Sequence, residues 1–163
     1  MNKAWRLVLT GGVVAGTLDI VYACVFWAIK RGVSPVRILQ RVAAGWLGEA
    51  SMTAGWPSAA LGLASQYLIA ISMAVTYYLV AQRWKALWER PVLYGTAYGL
   101  LLYGIMNYVV VPLSRAGAGN KDPLWVGMSI AVHMFLIGLP IALYTRRAVL
   151  ADLRRPVPAA GAV

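Results

Sequence analysis

Sulfur, imidazole and negative charge are scarce in this chain. Of 163 residues one is cysteine, one is histidine and five are acidic. A single cysteine, Cys24, forms no internal disulfide and excludes dithiol redox chemistry and multi-thiolate metal sites. A single histidine, His133, excludes a multi-histidine metal centre. Charged residues make up only 12% of the chain and hydrophobic ones 61%. Soluble domains average about 25% charged and roughly 45–50% apolar. An ordinary cytosolic globule, a disordered chain and a secreted disulfide scaffold are therefore excluded. What is present is apolar length, with a mean hydropathy of +0.68. The composition is that of an integral membrane protein.

A membrane-crossing helix needs roughly 20 apolar residues. Four such runs are expected, at about 7–29, 60–81, 92–113 and 124–145. Lys3 and Arg6 before the first run resemble the charged start of a secretory signal, and Val21 to Cys24 resembles a lipoprotein cleavage box. The apolar run continues past Cys24, and Asp19 interrupts it, so it reads as a retained transmembrane helix. Residues 30–59 are too polar to span. Ser34-Pro35 is a helix start, with serine as cap and proline at the first helical position. Beyond it Val36, Leu39, Val42, Ala43, Trp46, Leu47 and Ala50 fall on one arc, opposite Arg37 and Arg41. That pattern predicts an amphipathic helix over about 35–50, lying in the membrane interface with Trp46 at headgroup level. Gly55-Trp56-Pro57-Ser58 is expected to turn the chain. Gly138 and Pro140 predict a kink in the fourth span. Residues 148–163 read as a disordered tail. The expected fold is an all-α membrane bundle of four spans plus one interfacial helix.

The formal charge of +10 does not point to nucleic acid in so apolar a chain. Basic residues flank the spans and set their orientation. Lys3, Arg6, Arg83, Lys85, Arg90, Arg146, Arg147, Arg154 and Arg155 fall on one side. Lys30, Arg31, Arg37, Arg41, Arg115 and Lys121 fall on the other. The excess places both termini in the cytoplasm.

Each span carries one strongly polar side chain: Asp19, Gln66, Asn107 and His133. An aspartate at a helix centre costs roughly 2.5–3.5 kcal/mol on insertion scales, so it is expected to face the bundle and find a partner. By depth that partner is His133, and all four residues could face one cavity. The bland reading is interhelical glue, worth about 0.6–2 kcal/mol per hydrogen bond. The sharper one is a proton- or ion-coupled site with Asp19 as the protonatable group. Gly12 with Gly16, and Gly95 with Gly99, are small-x-x-x-small pairs that predict close helix packing, within the monomer or in a homodimer. Gly16-Thr-Leu-Asp19 matches Gly104-Ile-Met-Asn107 weakly, and Gln66 matches His133 in the same sense. Parallel copies of two spans each, or chance, account for this. The sequence holds no phosphate-binding glycine loop, no H-E-x-x-H and no G-x-S-x-G. No cofactor or metal is expected. Three readings are compatible with these residues: a small transporter or channel subunit, a non-catalytic scaffold of an envelope complex, and, least favoured, an intramembrane enzyme on lipid or isoprenoid substrates.

Several stretches recur together: Gly16 to Ile20, Arg37 to Gln40 through Gly48, Ala60 to Leu63, Tyr98 through Met106-Asn107 to Pro112-Leu-Ser114, and His133 through Gly138-Leu-Pro140. In combination the chain resembles an uncharacterised family of small bacterial inner-membrane proteins with four spans. The resemblance implies a location and an architecture. It also implies a second histidine where this chain has Gln66, so a two-histidine metal or proton site would be incomplete here.

Overall fold

The computed structural model describes residues 2–117 and 122–154. These form six helices, each started by a recognisable local signal or carried by its apolar length. Helix α1, Lys3–Arg31, is capped by Asn2, whose side chain accepts from the Trp5 amide. It ends at Gly32, where φ is +63° and the amide donates to the Ala28 carbonyl. Only glycine adopts that left-handed backbone without strain. Helix α2, Pro35–Leu47, starts at the Ser34-Pro35 signal and leads into one 3₁₀ turn, Gly48–Met52. Helix α3 is Gly55–Ala81 and the short α4 is Ala86–Glu89. Helices α5, Pro91–Leu113, and α6, Pro123–Leu153, complete the chain. Four of them, α1, α3, α5 and α6, are long and apolar enough to cross a membrane. The protein is an all-α bundle and a multi-pass membrane protein.

Two boundaries differ from the sequence reading. Gly55 to Ser58 is not the turn. It is already the first turn of α3, with Pro57 where a missing amide costs nothing. The last span does not stop near Thr145. It runs to Leu153, because Ala148 and Val149 are buried and the Tyr78 hydroxyl donates to Asp152 at 2.6 Å. Residues 148–153 of the expected disordered tail are therefore helical. Residues 155–163, and the loop residues 118–121 with Lys121, lie outside the described residues.

Helices α5 and α6 each contain one π-helical turn, Met106–Val110 and His133–Gly138. Each ends two residues before a proline, Pro112 and Pro140. A proline ring clashes with the carbonyl four residues back and offers no amide to it. A widened turn just upstream relieves both problems. The anticipated kink at Gly138-Pro140 therefore takes the form of a wide turn, and a second one stands at Asn107.

The bundle is packed unevenly along its length. Its core is Ala4, Val8, Tyr77, Tyr78, Leu102, Ile137, Ile141 and their neighbours. These come from the start of α1, the end of α3, the middle of α5 and the second half of α6. In an up-down bundle all of these lie toward one end. Tyr77 packs on Tyr98 at 4.8 Å, Trp5 meets Tyr78 edge-on at 5.5 Å, and the Tyr98 hydroxyl donates to the Met73 carbonyl. At the other end α5 beyond Tyr103 has no buried residue, and the first half of α6 has few. The four helices are tight at one end and splayed at the other.

Candidate functional site

Helix packing sets where the splay begins. A Cβ added at Gly12 would stand 2.7 Å from the Ile71 Cα, and one at Gly16 would stand 3.0 Å from the Ala70 Cβ. Only glycine allows α1 and α3 to approach that closely. Across the bundle, a Cβ at Gly95 would stand 2.7 Å from the Ala142 Cβ, and one at Gly138 would stand 2.1 Å from the Gly95 carbonyl oxygen. All four packing glycines read from the sequence, Gly12, Gly16, Gly95 and Gly99, make close contacts within the monomer.

Above these seams lies a cavity of about 1240 Å³. Asp19, Gln66, Asn107 and His133 all line it. Its floor is near Ala15, Met73 and Ile137, and its mouth carries Arg31, Arg37 and Arg41. Stacking of Tyr22, Phe26 and Trp27 around Trp125, with centroids 5.1–5.7 Å apart, closes the flank between α1 and α6. Lys30 forms an ion pair with Asp122, and Asp122 also caps α6 by accepting from the Trp125 amide. These contacts fix the start of the fourth span against the end of the first. The Lys30 bond and two backbone amides hold the Asp122 carboxyl below the usual carboxylate range.

Helix α2 forms a wall. It crosses α3 at Gly62, where a Cβ would stand 1.9 Å from the Leu39 carbonyl oxygen. Trp46 Nε1 donates to Ser65 Oγ at 3.0 Å, and the Arg115 amide donates to the Gly45 carbonyl. So α2 bridges α3 and the exit of α5. Arg37 and Arg41 point to the mouth of the cavity, a role the helical arc of the sequence did not reveal. The signal was available in the spacing: Arg37, Arg41 and Gly45 recur every four residues, one face of a helix.

The expected pairing of Asp19 with His133 is not what the structure has. Asp19 Oδ2 accepts from Gln66 Nε2 at 2.7 Å, and the same amide reaches the Gly16 carbonyl at 3.4 Å. The Gly16–Ala70 contact brings α1 and α3 into register, so Asp19 and Gln66 meet one turn above it. His133 instead donates from Nδ1 to the Ser129 carbonyl, 2.8 Å away on its own helix. In a neutral ring this leaves Nε2 as an acceptor, with no hydrogen bond among the described residues. Tyr103 meets the ring edge-on at 5.4 Å. Asn107 likewise donates to its own helix, at the Tyr103 carbonyl. The weak repeat is not reproduced in bonding, since Asn107 and His133 form no counterpart to the Asp19–Gln66 pair. A further polar group was missed. Ser129 is 5% exposed and lines the cavity. Its hydroxyl lies beside that of Tyr22, and among the described residues neither makes a hydrogen bond of ordinary geometry.

Among the described residues no group of three or more histidine, cysteine or acidic side chains could hold a metal. The chain matches no protein-family model, no curated protein and no solved structure.

Proposed function

We propose that this protein is a small proton- or ion-coupled carrier, or a subunit of one, in the bacterial inner membrane. The observation that carries the reading is the bonding of the four polar residues. Glue between helices would spend each side chain on another helix. Only Asp19 and Gln66 do so, while Asn107 and His133 satisfy themselves on their own helices and still face the cavity. An imidazole nitrogen and a carboxyl group around a space closed at one end suit the binding of a solute with a proton or cation. Asp19 is the coupling group in this reading, and Gln66 holds it in place. Four spans make a thin wall, so a homodimer is the working form. The excess of basic residues supports an orientation with the tight end and both termini in the cytoplasm and the cavity mouth outside. A reporter fused after Val163 should be active only inside.

The test is proton flux into proteoliposomes holding the purified chain. Flux in the wild type that vanishes in folded Asp19→Asn supports the carrier. Absence of flux in both sinks it and favours a non-catalytic scaffold, in which α2 would hold an envelope-complex partner. In that case changes at Arg37 and Trp46 should release a copurifying protein.

A further inference from the structure

Resting on the carrier reading, we infer that the ligand of this cavity is a single-chain amphipathic organic anion. Its acidic headgroup sits at Arg31, Arg37 and Arg41, and its apolar chain runs inward.

The charge at the mouth is one-sided. Among the described residues the ion pair is Lys30 with Asp122, and none of the three arginines has a carboxylate partner. Arg37 is held in place by its Nη1 bond to the Met52 carbonyl at 2.9 Å, and Arg31 lies over the Trp27 ring at 5.5 Å. Both keep guanidinium donors to spare. A planar fork of donors suits a carboxylate or a phosphate.

Below the mouth the wall is mixed: Ile20, Ala23, Ile69, Met73, Val110 and Ile137 give an apolar surface for a chain, interrupted by the polar Asp19, Gln66, Asn107, Ser129 and His133. The space exceeds the roughly 300–1,000 Å³ of a site for a drug-sized molecule. Arg31 and Asp19 are twelve residues apart on one helix, about 18 Å at 1.5 Å per residue. That depth suits an elongated chain. The three arginines stand at the mouth and the acidic Asp19 lies deeper, which orients the ligand with its acid outward. The aromatic cluster closes the flank between α1 and α6, and α2 closes the flank beside α3. A slot about 18 Å deep between these walls admits one chain more readily than the paired chains of a phospholipid.

Three of the seven tryptophans, Trp27, Trp46 and Trp125, line the cavity and serve as reporters. The full chain is placed in nanodiscs of zwitterionic phospholipid and titrated with a dibrominated long-chain fatty acid, whose bromines quench tryptophan on contact. Saturable quenching by the acid, with only linear quenching by its methyl ester, is the expected result. Arg37→Gln with Arg41→Gln should weaken the midpoint about tenfold or more. The variant W27F/W46F/W125F, with Trp5, Trp56, Trp84 and Trp88 retained, should lose the saturable part, and circular dichroism checks that each variant stays helical. Equal, linear quenching by acid and ester means that the chain only partitions into the bilayer, and overturns the inference. Saturation with dibrominated phosphatidylglycerol but not with the free acid also overturns it, in favour of a lipid of the leaflet. Saturable binding without flux would reject the carrier and keep the ligand class. Proton flux without saturable quenching would do the reverse.

Discussion

Gly99 and His133 meet backbone to backbone: a Cβ on Gly99 would stand 2.0 Å from the His133 carbonyl oxygen and 2.6 Å from the Met134 Cα. The widened turn that begins at His133 is therefore seated on α5 at a point with no side chain. The position of the imidazole in the cavity depends on a glycine thirty-four residues away in sequence.

Gly99→Ala should displace that turn, since backbone and not a flexible side chain stands in the way. Overpacking of this kind costs about 1–3 kcal/mol. Gly104→Ala is the control, because nothing lies within 4 Å of a Cβ there. It should stay within about 1 kcal/mol of the parent, in the stabilising direction. Thermal unfolding of both variants in the same detergent checks this. Equal losses would mean that the α5–α6 contact is not close.

The Asp19–Gln66 bond should appear as a coupling energy. Gln66→Leu alone leaves a carboxylate oxygen without its donor and should cost about 1–3 kcal/mol. In an Asp19→Leu background the same change should cost little. A double-mutant cycle on unfolding should give about 0.6–2 kcal/mol. A coupling of zero would show that the two side chains do not meet.

The Lys30–Asp122 pair predicts a pH response at the cavity mouth. Its carboxyl titrates below its ordinary value, so the stabilisation is fully present above the usual carboxylate range near 3.9. It is lost as pH falls through the lowered value. Fluorescence of Trp125, stacked beside the pair, should shift only at that acid end. Asp122→Asn keeps a capping oxygen but removes the charge, so the shift should disappear while α6 still starts at the same place.

Truncation shows how far the packed part of α6 extends. A chain stopped after Arg154 keeps Ala148, Val149 and Asp152 and sets the reference unfolding temperature. A stop after Arg147 removes Ala148 and Val149 from the core and Asp152 from Tyr78, and should lower it clearly. Tyr78→Phe should reproduce part of the loss, about 0.5–1.5 kcal/mol for one hydrogen bond. Equal stability of the two truncations would restore the reading of 148–154 as an unpacked tail.

The four long helices could be read from apolar length, because a bilayer leaves no other use for such runs. Asp19, Gln66, Asn107 and His133 could be read for the converse reason: a strongly polar group in such a run is costly. Their pairing could not. Depth along each helix comes from residue count, but Asp19 finds Gln66 because Gly16 meets Ala70, and that contact depends on the rotation of both helices. The cavity was legible only as a common depth of polar residues. Its α2 wall was hidden, because the arc of Val36 to Ala50 suggested a helix in the membrane interface and carried no sign of the contact with α3 at Gly62. The extension of α6 was missed because Arg146 and Arg147 look like the end of a span. They lie on a helix whose other face, Ala148, Val149 and Asp152, packs on the bundle.

The two π-helical turns have a further consequence. Each holds one residue more than the α-helix would place there, and such a surplus can migrate along a helix without moving either end. Every side chain it passes is rotated by about 100°, the angular step of one residue. In α5 the surplus lies at Asn107 and in α6 at His133. Re-aiming Asn107 in α5 leaves the tyrosine-packed end still, whereas re-aiming His133 in α6 must lift its carbonyl off Gly99. A change in what this cavity presents is thus tied, on the α6 side, to the opening of one seam.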